Sequence, residues 1–229
     1  MALEHGAAGI KSDGLVFYID AANTKSYPGS GLDWKDLTNN HKDCTLSNGS
    51  TFSSSKGGAI VLDGTDDLVN VSSDIADFNS DFTLSAWVNP DTLPLSDTAY
   101  TLVSNKDTTS AFQFRIDGDA GAGSTPAWHV VDSWQVAVGV FDNFPPVANS
   151  WSNVTVTRSS DTYSLYIDGV YKSNFTNSET YANGTKTIGV NYNNTEEWDG
   201  KISTIMVYDR TLTAEEILHN YNALKGRFL

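Results

Sequence analysis

Short segments of alternating apolar and polar residues recur along nearly the whole chain, and this pattern constrains the possible folds more than any other feature. Clusters of Gly, Asn, Asp and Ser separate the segments, which is typical of an all-β sandwich or barrel. Short connections indicate antiparallel pairing, because parallel strands need long crossovers. The segments are LVFYID, GAIVLDG, DLVNV, FTLSAWVNP, YTLVSNK, FQFRID, WHVVD, WQVAVGVF, WSNVTVTR, YSLYIDG, VYKSNF, TKTIGV and GKISTIMVYD.

The connections between these segments are of two kinds. Asp168-Gly169 stands between two alternating runs and predicts a tight hairpin, because Asp-Gly tolerates the positive φ angles of such a turn. Longer stretches with turn residues and no alternation predict loops at 23–42, 118–125 and 142–150.

The end of the chain has helical rather than strand character, and we predict a helix over 213–225. Thr213 is a good N-cap, and Glu216 three residues later completes a capping box. A helix this short must dock on the sandwich to be stable. A hydrophobic staple, an apolar stripe and a stop signal accompany the capping box, at Leu212, Ile217, Tyr221, Leu224 and Gly226.

Length and charge set the wider limits. A chain of 229 residues suits one large β domain, which we place at 14–229 behind an N-terminal arm at 1–13. The net charge of −14 would repel phosphate groups, so nucleic acid and anionic membranes are poor partners. Cys44 is the one cysteine, which excludes an internal disulfide. We expect neither export through a signal peptide nor membrane insertion, since no leader or long apolar run is present.

Five stretches in this order resemble a laminin-G-like domain of the concanavalin A-like lectin/glucanase type, from about Gly14 to Ile217. The resemblance implies an antiparallel jelly-roll β-sandwich with one short C-terminal helix. Such sandwiches occur in lectins, adhesion modules, glycanases and virion proteins, so the fold alone implies no single function. The stretches are GLVFYIDAAN, LDGTDDLVNV, FTLSAWVNP, WSNVTVTRSSDTYSLYIDGVYKS and GKISTIMVYDRTLTAEEI.

Two flanking stretches, DAANTKSYPGSGLDWKDLTNN and NYNALKGRF, resemble versions of this domain in structural proteins of tailed bacteriophages. This resemblance implies a non-enzymatic virion component (a fibre, a capsid decoration or another exposed part) that is assembled in the host cytoplasm. It also implies many copies per particle, other virion proteins as partners, and binding of host-surface glycans. The alternatives are a free carbohydrate-binding or adhesion module, and a glycan-degrading enzyme.

Catalytic patterns are missing, and we predict no catalytic residue. Jelly-roll glucanases carry Glu-x-Asp-x-x-Glu along one strand; the nearest match begins at Glu197 and Asp199, but Ile202 replaces the second Glu. A retaining glycosidase needs two carboxyl groups about 5–5.5 Å apart, so this replacement removes one partner. The histidines lie too far apart in sequence to form a zinc motif, at His5, His41, His129 and His219.

No cofactor is required by the sequence, but a structural calcium ion is one interpretation of its aspartates. Relatives of this type often hold calcium at a loop rim, and calcium prefers hard oxygen ligands. The alternative is that these aspartates only cap turns and bind no metal. The candidate ligands are Asp63, Asp66 and Asp67 in LDGTDD, or Asp117 and Asp119 in RIDGD.

Strand periodicity also suggests a ligand face. In FTLSAWV it turns Phe82, Leu84, Ala86 and Val88 toward the core and Trp87 away from it. If the strands share the concave sheet, outward side chains line a groove with the aromatic and polar groups that sugars need. The alternative is that loops or a neighbouring subunit cover this face and that Trp87 is a packing residue. The predicted groove residues are Trp87, Gln113, Arg115 and Tyr166.

Overall fold

The computed structural model describes residues 9–106, 110–118, 125–132, 137–141 and 143–229, and strands dominate these ranges. One α-helix, α1 (Ala214–Leu224), follows the last described strand, and 3₁₀ turns occur at Ser55–Gly57 and Lys225–Arg227. The strands are β1 (Leu15–Asp20), β2 (Asp33–Trp34), β3 (Cys44–Ser47), β4 (Thr51–Ser53), β5 (Ala59–Asp63), β6 (Leu68–Val71), β7 (Phe82–Pro90), β8 (Ala99–Asn105), β9 (Gln113–Asp117), β10 (Ala127–Val131), β11 (Ala137–Phe141), β12 (Ser152–Ser159), β13 (Thr162–Ile167), β14 (Val170–Thr176), β15 (Lys186–Ile188) and β16 (Asp199–Tyr208).

The strands form two antiparallel sheets. In the first sheet the order is β14-β13-β12-β7-β16-β5-β4, and β1 pairs with the C-terminal half of β16. In the second sheet the order is β11-β10-β9-β8-β15-β6-β3-β2. The predicted antiparallel β-sandwich with one short C-terminal helix is confirmed.

The core lies between the two sheets because each strand turns alternate residues inward. In β7 the inward residues Phe82, Leu84, Ala86 and Val88 all belong to the core cluster, as the sequence pattern predicted. Phe114 of β9 reaches the same cluster from the second sheet. The alternate residues of each of these two strands therefore face outward from their own sheet.

The hairpin prediction is confirmed. Asp168 and Gly169 both have positive φ angles, 54° and 76°, and they join β13 to β14 with Ile167 opposite Val170. The predicted loop at 23–42 is wrong in one respect, because it contains β2. Strands β3 and β4 also escaped prediction, since β2, β3 and β4 are only two to four residues long and too short to show a period.

The C-terminal helix begins as predicted. The Thr213 side chain accepts a hydrogen bond from the Glu216 N–H, and the Glu216 carboxylate accepts one from the Thr213 N–H. The α-helix ends at Leu224 with Lys225 as its C-cap, within one residue of the predicted end at 225. Gly226 has no positive φ, however, and the chain continues through a 3₁₀ turn. This continuation carries Phe228 back over the first sheet. No helix in the described part of the chain has the length and apolar character needed to cross a membrane.

Part of the predicted N-terminal arm is docked on the domain. The Lys11 N–H donates to Asn220 Oδ1 over 2.8 Å, and the Tyr208 hydroxyl donates to the Lys11 carbonyl over 2.9 Å. The Gly9 carbonyl lies 2.8 Å from His219 Nε2. Residues 9–13 therefore lie against α1 and β16, and residues 1–8 lie outside the described ranges.

Trp87 projects from the outer face of the first sheet and is covered by the C-terminal segment. Its ring stacks on Phe228, with centroids 4.0 Å apart and planes 15° from parallel, and also on Tyr221 at 5.6 Å. Only 1% of Trp87 is exposed. The prediction that Trp87 is a ligand platform is therefore wrong, because the chain's own C-terminal segment occupies the face where a sugar would stack.

This packing predicts a large effect of Trp87→Ala on stability. We expect the free energy of unfolding to fall by about 3–5 kcal/mol, because a large buried aromatic ring leaves a cavity. Urea denaturation followed by circular dichroism measures the loss. Phe228→Ala should also destabilise, whereas Leu229→Ala, at a side chain 76% exposed, should change little. Unchanged stability of Trp87→Ala would contradict the packing role.

Candidate functional site

The four predicted groove residues do not share a face. Trp87 lies on β7 and Tyr166 on β13, both in the first sheet, whereas Gln113 and Arg115 lie on β9 in the second sheet. All four point outward, so the two pairs lie on opposite sides of the sandwich. The prediction of one groove is wrong because it depended on these strands belonging to one sheet. Tyr166 is half-buried against a small apolar cluster under α1, which consists of Met206, Tyr208, Leu212 and Ile217. Its ring lies edge to face with Tyr171, with 5.6 Å between the ring centroids.

Arg115 is the centre of a buried charge network on the second sheet. Its Nη2 donates to Asp117 Oδ2 over 2.5 Å, and its Nη1 donates to Glu196 Oε2 over 2.7 Å. The Arg115 side chain is 5% exposed. Thr101 holds Glu196 a second time, since its N–H donates to the Glu196 carbonyl and its hydroxyl to the Glu196 carboxylate. This network fixes the connection between β15 and β16 against the second sheet.

Gln113 has a structural role beside this network. Its side chain is fully buried, and Nε2 donates to the Asp132 carbonyl over 2.9 Å. Gln113 therefore holds the end of β10 and is not an open ligand group.

The aspartates of LDGTDD lie together, as the calcium prediction requires. One carboxylate oxygen from each of Asp63, Asp66 and Asp67 lies within 4.8 Å of the others, and no other such metal-binding group occurs in the described ranges. The predicted ligand Asp117 does not join them, because it binds Arg115. Asp119 lies outside the described residues.

The geometry of this cluster follows from the crossover between the sheets. Strand β5 ends at Asp63, and Gly64 then adopts a positive φ of 70°. A Cβ there would lie 2.8 Å from Cβ of Asp199, so the close approach favours glycine. The Asp63 carboxylate accepts a hydrogen bond from the Thr65 N–H, and Asp67 Oδ2 accepts one from the Asp63 N–H. Turn capping, the alternative to metal binding, is therefore present at both residues.

Asp67 has one oxygen that turn capping does not use. Asp67 is 4% exposed, and its Oδ1 has no hydrogen-bond partner among the described residues. Burial raises the pKa of Asp67, and the nearby Asp63 and Asp66 charges raise it further. A carboxylate in this position would gain from a cation, because buried polar atoms without partners are costly.

A pocket of about 440 Å³, which we call the rim pocket, opens beside this cluster. Three connections converge on it: the one entering β8, the one entering β16, and the β5–β6 turn. No sequence pattern singled out this pocket, because its residues come from separate segments and form no motif. Its lining residues are Gly64, Leu95, Asp97, Thr98, Ala99, Tyr100, Thr195, Glu196 and Glu197.

The apolar part of the rim pocket consists of Leu95, Ala99 and Tyr100. Leu95 is 78% exposed at the pocket edge, and its carbonyl accepts hydrogen bonds from the Thr98 N–H and hydroxyl. A Cβ on Gly118 would lie 2.0 Å from that carbonyl oxygen, so the missing side chain lets the Leu95 turn pack closely. The Tyr100 hydroxyl is 2.7 Å from Thr92 Oγ1, which donates to Asp199. These contacts orient the Tyr100 ring.

The polar part of the rim pocket is acidic. Asp97, Glu196 and Glu197 line it, and no lysine, arginine or histidine is among its described lining residues. Burial raises the pKa of Glu197, and the charges of Glu196, Asp66 and Asp63 add to this effect. The pocket and the aspartate cluster therefore form one region of negative potential.

The segment that came nearest to a glucanase motif packs into the protein. Trp198 and Ile202 are fully buried in the core cluster. Asp199, the first residue of β16, accepts a hydrogen bond from Thr92. The position that would need the second Glu of the motif therefore faces the core.

Comparisons with known proteins agree with this fold. The profile of the family described as the concanavalin A-like lectin/glucanases superfamily (Laminin_G_3) matches residues 63–218. No curated protein sequence matches the chain.

Three solved structures illustrate the similarity. Domain 4 of AbnA, an extracellular GH43 arabinanase from Geobacillus stearothermophilus solved with arabinotriose, has 19% identity and a TM-score of 0.70, covering 92% of this chain and 100% of that domain. Trypanosoma rangeli sialidase has 16% identity and a TM-score of 0.68, covering 96% of this chain and 34% of the sialidase. The binding domain of botulinum neurotoxin serotype D has 15% identity and a TM-score of 0.67, covering 91% of this chain and 51% of that domain.

These identities are low, and the likeness is one of fold. The chain spans about a third of the sialidase and half of the toxin domain, but the whole of the arabinanase domain.

Proposed function

The chain belongs to the concanavalin A-like lectin/glucanases superfamily, and we propose that it is a non-enzymatic module that binds carbohydrate in the rim pocket. The observation that carries the proposal is the mixed lining of this pocket. Sugars present apolar ring faces to aromatic and aliphatic side chains, and their hydroxyls need hydrogen-bond acceptors and donors. Tyr100 and Leu95 offer the first kind of contact, and Asp97, Thr98 and Glu197 offer the second.

The arabinanase domain adds support at the level of the fold. Its whole length corresponds to this chain, and its structure was solved with arabinotriose. A sandwich of this size therefore accommodates an oligosaccharide without a further domain around it in that structure. The proposed sugar site is placed at the rim pocket of this chain, and no binding residue is transferred from the arabinanase domain.

The contacts of the acids near the pocket support the non-enzymatic part of the proposal. Glu196 accepts hydrogen bonds from Arg115 and Thr101. Asp117 accepts one from the same Arg115 guanidinium. These contacts use the Glu196 carboxylate to hold the β15–β16 connection against the second sheet. The fold of β16 also directs Ile202 into the core. We therefore assign Glu196 to structure and Glu197 to ligand contact.

Tyr100→Ala tests the proposed site. We expect it to weaken binding of the best-bound oligosaccharide by about tenfold or more, because the stacking surface is lost. A glycan array identifies the oligosaccharide, and titration calorimetry measures the affinity. Tyr100→Phe keeps the ring and should retain most of the binding.

The control is Tyr171→Ala, because Tyr171 is an exposed tyrosine on β14 outside the rim pocket. Tyr100 is partly buried against the core cluster, so thermal denaturation must first show that Tyr100→Ala is folded. The Tyr171→Ala variant should bind the oligosaccharide with the affinity of the wild type. Wild-type affinity in a folded Tyr100→Ala variant would contradict the proposed site. Recovery of a cleaved oligosaccharide would contradict the non-enzymatic role.

We also propose that the cluster of Asp63, Asp66 and Asp67 holds a structural calcium ion. Three carboxylates supply hard oxygen ligands, and Asp67 Oδ1 is a buried oxygen without a partner among the described residues. Calcium there would link the end of β5 to the start of β6. Its contribution in this proposal is to stability.

Calcium should raise the melting temperature of the chelator-treated protein. At a calcium concentration about 100 times Kd, the expected rise is about 5–10 °C, because binding to the native state alone stabilises by about 2.7 kcal/mol. Differential scanning calorimetry measures this rise. Asp66→Asn should abolish it, and Asp33→Asn, an exposed aspartate of β2, should retain it. An equal rise in wild type and Asp66→Asn would exclude this cluster as the site.

For the biological setting, we propose an exposed component of a tailed-phage particle, such as a fibre or decoration protein beside other virion proteins. The support is the resemblance of residues 20–40 and 220–228 to phage structural proteins. Many copies on one particle would also turn weak individual sugar sites into strong attachment.

Immunogold electron microscopy tests this setting. Antibodies against the chain should label intact tailed particles from the source of the sequence, and preincubation with purified chain should remove the label. Detection of the chain only in the supernatant after the particles have been sedimented would favour the free module instead.

A further inference from the structure

We infer that the rim pocket selects sugars that carry no carboxylate, sulfate or phosphate group. This inference rests on the proposed function and adds the chemical class of the ligand. It depends on where the charges near the pocket lie and on which of them are already paired.

Negative groups surround the pocket from more than one direction. Asp97 approaches from the connection before β8, and Glu196 and Glu197 from the connection before β16. Asp63 and Asp66, on the β5–β6 turn next to Gly64, lie close enough to raise the pKa of Glu197. An anionic sugar in the pocket would therefore meet like charges from both of these connections. Such repulsion persists in a partly enclosed pocket, where water screens less than at an open surface.

Arg115, the cation paired with Glu196, does not offset this charge. Arg115 lies directly behind Glu196, but its two terminal nitrogens donate to Glu196 and Asp117. Arg115, Asp117 and Glu196 together carry a formal charge of −1, because two carboxylates share one guanidinium. A ligand carboxylate would have to displace one of these buried partners, and the displaced charge would then lack its pair.

Calcium at the aspartate cluster would leave the sign of the region unchanged. Three aspartates with one divalent ion keep a formal negative charge, and the three acids of the pocket wall are separate from that cluster. The selection against anionic sugars should therefore hold both in calcium and in a chelator.

The remaining groups suit an uncharged sugar. Sugar hydroxyls can donate to the carboxylates of Asp97 and Glu197. The Thr98 hydroxyl donates to the Leu95 carbonyl, and its oxygen can still accept a hydrogen bond from a sugar. Leu95 and Tyr100 supply apolar surface for a ring face. No charge on the ligand is needed for any of these contacts.

The experiment uses the full chain on an array of matched oligosaccharide pairs, in which one member of each pair carries a uronic acid, a sialic acid or a sulfate. We expect binding to uncharged members to exceed binding to their acidic counterparts by about tenfold or more in low salt. Higher salt should narrow the difference, because the repulsion is screened. The array is run with calcium and with a chelator.

The double variant Asp97→Asn, Glu197→Gln keeps the shape of the pocket and removes two charges. It should reduce the discrimination between the members of a pair several-fold, whereas Asp33→Asn should leave it unchanged. Equal or stronger wild-type binding to the acidic members would overturn this inference and leave the proposed function intact. Binding to no member of any pair would overturn both.

Discussion

The pairing of one guanidinium with two carboxylates determines the shape and the charge of the rim pocket. Arg115 stands on the regular strand β9, and Glu196 belongs to a connection 81 residues further along the chain. Buried charges are stable only when they are paired, so this contact fixes the β15–β16 connection at one position on the second sheet. The same contact uses the positive charge of Arg115, which lies behind Glu196. Arg115 therefore holds this wall of the pocket in place, while its charge is already shared between Glu196 and Asp117.

The two outer faces of the sandwich are covered in different ways. The first sheet is closed by the chain's own end, where the 3₁₀ turn after α1 brings Phe228 onto Trp87. On the second sheet the polar side chains of β9 are engaged in buried hydrogen bonds. The open concave feature lies instead at the rim, where the β5–β6 turn meets the connections before β8 and β16. The covered face therefore contributes to stability, and we propose that ligand contact occurs at the rim.

The sequence predicted what depends on neighbouring residues. Alternation in β7 identified its inward face, Asp168-Gly169 identified a hairpin, and Thr213 with Glu216 identified the start of α1. The cluster of Asp63, Asp66 and Asp67 was also predictable, because its members lie within five residues of one another. What failed was the assignment of strands to sheets. Periodicity correctly predicted that Trp87 and Arg115 face outward, but it carries no information on which sheet each strand joins. The rim pocket was missed for the same reason, since long-range pairing brings its three connections together.

Nuclear magnetic resonance can locate the proposed sugar site on the folded chain. The ¹⁵N-labelled chain is titrated with the best-bound uncharged oligosaccharide while its backbone amide shifts are followed. The largest changes should fall at residues 95–100 and 195–197, with little change at Trp87. Changes confined to Trp87 and the C-terminal segment, or to the small pocket around Pro145, Pro146 and Trp151, would contradict this location.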